Sequence, residues 1–193
     1  MYVSIVDYGT GNLNSVSKAL EAAATNINKK LNIKISNNPK DILDSDKIIL
    51  PGQGSYRQCV LGLKNISGLW DSINEFVLIK KKPIFGICVG MQLLAERGLE
   101  YETCQGLGWI AGDTVRIEPK DPTLKIPHMG WNDVGVKPNA PLIEPGEAYF
   151  LHSYHFVPDE GHEIAALTDH GGSVVAAVAR DNLVGVQFHP EKS

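Results

Sequence analysis

Pro83-Ile84-Phe85-Gly86-Ile87-Cys88-Val89-Gly90-Met91-Gln92-Leu93-Leu94 is the stretch on which the fold turns. It opens as a short apolar run and closes at helical spacing, with Gly-x-Cys-x-Gly at the junction. A buried strand that passes through a glycine turn into a helix begins a βα unit, so the surrounding sheet is expected to be parallel. The turn forces its apex residue into a strained backbone geometry, and the flanking glycines relieve the crowding. Cys88 then stands at the carboxyl end of the sheet beside a helix N-terminus. Positive potential there favours a thiolate over a thiol, and open α/β sheets bind ligands at that edge. A buried cysteine packed as a small apolar residue satisfies the same pattern, so the turn alone does not decide for catalysis.

Upstream, Val3-Ser4-Ile5-Val6-Asp7-Tyr8 reads as a buried strand ending at Gly9-Thr10-Gly11-Asn12, and Leu13, Val16, Leu20 and Ala23 follow at helical spacing. Residues 34–36 give a second strand and residues 41–46 a short helical or loop segment. Lys47-Ile48-Ile49-Leu50 is a third strand, stopped by Pro51-Gly52-Gln53-Gly54. Leu69, Ile73, Phe76 and Val77 predict a helix over 69–79, and the turn at Cys88 predicts another over 89–97. Beyond Gly98 the texture changes. Segments 108–118, 126–136, 147–156, 163–168, 173–178 and 183–188 are strand-like, with hairpin loops at His170-Gly171-Gly172 and Arg180-Asp181-Asn182. The expected architecture is therefore α/β. One mixed sheet is parallel in the N-terminal half, with antiparallel strands added in the C-terminal half, in a single domain over residues 1–193.

Composition agrees and excludes several classes. With 193 residues, 43% hydrophobic and 21% charged, the chain has the balance of a globular domain rather than a disordered one. A net charge of −4 supplies no basic excess for phosphates, which argues against nucleic acid as a ligand. Lys80-Lys81-Lys82 reads as the solvated end of a helix. Cys59, Cys88 and Cys104 include no Cys-x-x-Cys, so neither a disulfide framework nor a zinc site is expected. No basic leader or long apolar run opens the sequence, and a cytoplasmic protein without a membrane span is the expectation. Asn14 stands where a dinucleotide-binding loop needs its third glycine. Residues three apart on a strand face opposite sides, so His152-Ser153-Tyr154-His155 is not a metal-ligand spacing. No metal and no cofactor is expected.

A cysteine nucleophile needs a base and a group to orient that base. Leu183-Val184-Gly185-Val186-Gln187-Phe188-His189-Pro190-Glu191 offers both, since His189 ends a predicted strand and Pro190 fixes an extended backbone before Glu191. Should that end lie beside the Cys88 turn, His189 takes the thiol proton and Glu191 holds the ring, a triad by role. Alone, His189 would be an ordinary surface histidine at a strand end. Gly52, Gln53 and Gly54 form a loop whose backbone N–H groups can line an oxyanion hole.

These residues resemble a known family. The Cys88 turn extended to Gly90-Met91-Gln92-Leu93-Leu94, the Pro-Gly-x-Gly loop and the final His-Pro-Glu are similar to class I glutamine amidotransferases. Finer stretches are Asp7-Tyr8-Gly9-Thr10-Gly11-Asn12-Leu13, Pro127-His128-Met129-Gly130-Trp131-Asn132, Phe150-Leu151-His152-Ser153-Tyr154 and His189-Pro190-Glu191-Lys192-Ser193. They resemble the glutaminase subunits of imidazole glycerol phosphate synthase. The resemblance implies a flavodoxin-like mixed sheet with helices on both faces. It implies hydrolysis of glutamine by Cys88, His189 and Glu191, with Gly52, Gln53, Gly54, Val89, Gln92, His152, Ser153 and Tyr154 around the oxyanion and substrate. It also implies a heterodimer with a (β/α)₈ barrel cyclase that receives the ammonia, docked near Asn12, Asn14, Trp131, Tyr149 and Lys192. For Trp131, core packing is the competing reading.

The sequence also departs from the family. Gln53 and Ser55 replace small or apolar residues, Tyr56 replaces a common phenylalanine, and residues 24–31 form a slightly lengthened connection. Family members usually continue in a helix after His-Pro-Glu-Lys-Ser, where this sequence stops, so some apolar surface is expected to be exposed. Two rival readings follow: a glutaminase serving another acceptor enzyme, such as one that amidates polysaccharide sugars, or a non-catalytic scaffold subunit.

Overall fold

The computed structural model describes residues 1–138, 140 and 142–193. The first half alternates strand and helix. It runs β1 (Tyr2–Val6), α1 (Leu13–Asn26), β2 (Asn32–Ser36), α2 (Pro39–Asp44), β3 (Lys47–Gly52), α3 (Tyr56–Asn65), α4 (Leu69–Asn74), β4 (Ile84–Cys88) and α5 (Val89–Gln92). Then come β5 (Arg97–Gly98), β6 (Cys104–Gln105), β7 (Gly112–Arg116), β8 (His128–Val136), β9 (Gly146–His152), β10 (Tyr154–Pro158), β11 (Ile164–Asp169), β12 (Ser173–Arg180) and β13 (Leu183–Val186). Among the described residues, the main sheet has the order β2-β1-β3-β4-β13-β12-β11-β8-β9, and a smaller sheet has the order β10-β7-β5-β6.

The pairing is parallel from β2 to β13 and antiparallel from β13 through β12 and β11 to β8 and β9. The central strands are apolar and buried along their length, as expected of strands covered on both faces. The last strand, β13, inserts beside β4 rather than joining the antiparallel edge. Val186 stands opposite Ile87 in that pair, and Gly52 of β3 stands opposite Cys88 on the other side. Three chain segments far apart in sequence therefore end side by side at one edge of the sheet.

Several elements differ from the sequence expectation, each for a physical reason. The helix after Cys88 ends at Gln92 instead of running to residue 97. The carbonyls of Leu93, Leu94 and Ala95 are taken by backbone N–H groups of Leu107, Gly108, Trp109 and Ile110, so they are not available to continue a helix. Those same contacts hold 106–110 out of any strand and shorten the expected 108–118 strand to β7. Segment 147–156 divides at Ser153 into β9, which pairs with β8 in the main sheet, and β10, which pairs with β7 in the smaller one. The helix expected over 69–79 passes at Glu75 into a wider π-helical turn, Glu75–Ile79. Helix α3 had no expectation attached to it. Its signal is the reciprocal cap in which Ser55 and Gln58 bond each other's backbone N–H.

Candidate active site

The turn after β4 places Cys88 at φ 54°, ψ −115°, outside the regions an L-residue prefers, at the N-cap of α5. The glycines around it are required by contact. A Cβ on Gly90 would lie 1.8 Å from the Leu50 carbonyl oxygen, and one on Gly86 would lie 2.7 Å from the carbonyl of Gly90. The turn is thus wedged against β3, the strand that carries the Gly52–Gly54 loop. Cys88 lies in the wall of a cleft of ≈ 400 Å³ and is 5% exposed.

His189 and Glu191 reach the same cleft from the end of β13. His189 Nδ1 is 2.9 Å from Glu191 Oε1. The backbone N–H of His189 donates to the Tyr149 carbonyl on β9, and Ser193 Oγ bridges the His189 carbonyl to the Tyr149 N–H. The chain turns at Pro190 instead of staying extended, because the Lys192 and Ser193 N–H groups close on the His189 carbonyl, and this turn is fastened to the neighbouring strand. Burial opposes a charged ring here, but hydrogen-bonding proximity to Cys88 and Glu191 outweighs it and pushes His189 up to about 9. Burial likewise works against the Glu191 carboxylate, yet its contact with His189 leaves it below its usual range.

The remaining expected residues divide into two groups. Gly52, Gln53, Gly54, Val89, Gln92, His152, Ser153 and Tyr154 all line the cleft, as do Asn12 and Lys192. The loop is held from beneath, where Tyr8 Oη donates to the Pro51 carbonyl and Cys59 Sγ lies 3.6 Å from the Gln53 carbonyl oxygen. Asn14, Trp131 and Tyr149 lie outside the cleft. Trp131 is 57% exposed, so core packing does not account for it. Its ring meets Tyr149 edge-on, and Lys192 Nζ sits 4.9 Å from the Tyr149 ring centre. Met129 and Leu151 are exposed on the same pair of strands, giving an apolar surface next to the cleft mouth.

Two cleft-side contributors had no expectation attached to them. Glu100 lines the cleft and accepts from the Tyr56 backbone N–H at the start of α3. Gln187, fully buried, points its Nε2 at Cys88 Sγ at 3.7 Å. Its signal was available: a glutamine in the run Val184-Gly185-Val186-Gln187-Phe188 must find a buried hydrogen-bond partner. Among the described residues, no group of three or more His, Cys, Asp or Glu side chains is disposed to hold a metal ion, and no helix is long and apolar enough to cross a membrane.

Comparison with known proteins places this geometry. The family model for glutamine amidotransferase class-I matches residues 4–193. The HisH subunit of imidazole glycerol phosphate synthase from Zymomonas mobilis subsp. mobilis is 50% identical over 192 residues, covering 99% of this chain and 89% of that protein. The HisH subunit from Mesorhizobium japonicum is 46% identical over 200 residues, covering 100% of this chain and 93% of that one. A solved glutamine amidotransferase superposes with a TM-score of 0.73 at 18% identity, covering 99% of this chain and 91% of its own, and bears on the fold alone. The chain belongs to the class I glutamine amidotransferases and, within them, to the family of HisH subunits.

Proposed function

We propose that this protein is the glutaminase subunit of an imidazole glycerol phosphate synthase in histidine biosynthesis, with Cys88, His189 and Glu191 as its catalytic triad. The observation that carries the reading is the meeting of the Cys88 turn with the hydrogen-bonded His189–Glu191 pair in one cleft. Full-length similarity to HisH subunits supports the choice of pathway over another acceptor enzyme.

The chemistry follows from the groups present. The Cys88 thiolate attacks the side-chain amide carbon of glutamine, forming a C–S bond and moving the carbonyl electrons onto oxygen. Backbone N–H groups at Val89, the first residue of α5, and at the Gly52 loop stabilise that oxyanion. Collapse breaks the C–N bond. His189, protonated at neutral pH, gives its proton to the departing nitrogen and releases ammonia. A glutamyl thioester remains. The now neutral His189 removes a proton from water, which attacks the thioester carbonyl and releases glutamate with the thiolate restored. Glu191 keeps the ring oriented throughout and favours its charged form. Gln92 uses its amide nitrogen on Tyr154 and Gln187, which leaves its carbonyl oxygen to accept from the substrate's ammonium group.

Free ammonia is mostly protonated and unreactive near neutral pH, so a covered path to the acceptor is needed. In this reading the (β/α)₈ barrel cyclase docks over the cleft mouth, against Trp131, Tyr149, Lys192 and the start of α1 with Asn12 and Asn14. The exposure of Trp131, Met129 and Leu151 beside the cleft supports that placement. The cytosol is the corresponding compartment.

A diazoketone analogue of glutamine tests the reading. It is expected to inactivate the protein in complex with the cyclase and to label the peptide containing Cys88. Absence of labelling, or labelling that persists in Cys88→Ser, overturns the assignment.

A further inference from the structure

Gln92 and Gln187 are buried amides whose two ends differ chemically, and the structure fixes which way each faces. Gln92 Nε2 donates to the Tyr154 carbonyl oxygen at 2.9 Å and to Gln187 Oε1 at 3.0 Å. Gln187 Nε2 then faces Cys88 Sγ at 3.7 Å. A backbone carbonyl only accepts. Were Gln92 reversed, its oxygen would oppose the Tyr154 oxygen. Were Gln187 reversed, its NH₂ would oppose that of Gln92, and its oxygen would face the sulfur. The Tyr154 carbonyl therefore sets the polarity of both amides.

The same carbonyl anchors a second chain. His152 Nδ1 lies 2.9 Å from it and must be the protonated nitrogen, so His152 Nε2 accepts from His128 Nδ1 at 3.0 Å. His128 Nε2 accepts from Asn132 Nδ2 at 3.0 Å. Asn132 Nδ2 also donates to the Asp169 carbonyl at 2.7 Å, which fixes that end independently. The two terminal carbonyls agree on every proton between them. Both rings must then be neutral, because a second ring proton would meet another N–H. Burial drives both rings in that direction.

We propose that Gln187 is a further catalytic residue, whose amide N–H stabilises negative charge on the Cys88 sulfur, held in that sense by Gln92 and the Tyr154 carbonyl, which the His152–His128–Asn132 chain keeps in place. The proposal rests on Cys88 being the nucleophile. An N–H that faces sulfur favours the thiolate over the thiol and is at its strongest while the sulfur carries charge, as substrate approaches and again as the thioester is broken. Donation from Gln92 into Gln187 Oε1 polarises the Gln187 amide and strengthens its N–H as a donor. Gln92, His152, His128 and Asn132 act through it as positioning residues.

Two variants test this. Gln187→Met removes the donor at similar volume, and Gln187→Glu keeps the shape but turns an oxygen toward the sulfur. The rate of Cys88 alkylation by iodoacetamide, read by peptide mapping to exclude Cys59 and Cys104, reports on the sulfur without needing turnover. Gln187→Met is expected to slow alkylation and glutaminase kcat about tenfold, with KM within about twofold, the size of one hydrogen bond to a charged group. Gln187→Glu is expected to slow both further, by about a hundredfold. Alkylation and kcat unchanged in a folded variant overturn the proposal. Should Gln187→Met melt early, Gln187→Glu decides alone. A failure of the triad reading shows differently: His189→Ala would retain glutaminase activity, whatever the Gln187 variants do.

Discussion

Cys88 is held by two features at once, a left-handed backbone that lifts its sulfur above the sheet edge and neighbours that face that sulfur from His189 and Gln187. The histidine gives the site a readable pH dependence. Its folded-state value of about 9 lies above the ordinary 6.5. The stabilisation from the charged ring is therefore complete below about pH 6.5 and is lost as pH rises through 9. Glutaminase kcat/KM of the complex is expected to fall on the alkaline side with a midpoint near 9, as the proton donor for ammonia is lost. A midpoint near 7 would mean that the contacts with Cys88 and Glu191 do not control the ring. At this scale the sequence is legible where spacing alone creates a constraint, as Gly86-x-Cys88-x-Gly90 predicts its own strain; the extension expected at Pro190 is instead a turn, closed by the Lys192 and Ser193 N–H groups on the His189 carbonyl. The Gln187–Cys88 contact is not legible that way, because it depends on which strand lies beside β4, and that is a matter of topology.

At the scale of elements, the turn after β4 and the β8–β9 pair carry the most constraint. Gly90→Ala drives a methyl group into the Leu50 carbonyl at 1.8 Å, against β3 backbone and not the end of a side chain that could swing away. It is expected to lower the unfolding free energy by more than about 3 kcal/mol, measured by urea titration, or to prevent folding. A loss under about 1 kcal/mol would show that β3 and α5 can separate. The β8–β9 pair carries His128 and His152, which burial lowers to about 4 and about 3. The unfolded chain binds their protons more readily, so stability is full above pH 6.5 and declines as pH falls toward 4. His152→Gln is expected to flatten that acid slope in urea titrations run across the range; an unchanged slope would move the cause elsewhere. The strands of the alternating half were legible to residue 88 because parallel strands buried on both faces read as continuous apolar runs, while helix α3 was missed. The helix after Cys88 was overextended, since its stop comes from residues 107–110 bonding its last carbonyls. No local signal in 93–97 records that contact.

For the whole molecule, what matters is that both halves of the chain meet at one edge. β3 and β4 bring the Gly52–Gly54 loop and Cys88, β13 returns from the antiparallel half with His189, and β8–β9 adds an apolar surface beside the cleft. Sequence periodicity predicted a parallel half and an antiparallel half in one sheet, but not the insertion of β13 beside β4 or the separate smaller sheet, because neither leaves a periodic trace. The surface around Trp131 is exposed and faces the side where ammonia must leave in the proposed reaction. Trp131→Ala is expected to weaken association with the cyclase about tenfold or more, read by titration calorimetry, while leaving the fold intact. Affinity unchanged would move the docking face elsewhere. The most direct measurement is glutamate release from glutamine by the purified chain, first alone, then with the cyclase, then with the cyclase and its nucleotide ligand. Slow release is expected from the chain alone, with stimulation on the order of a hundredfold by the loaded cyclase, the worth of one oxyanion-hole donor. A folded chain that binds the cyclase and is not stimulated by it would contradict the assignment.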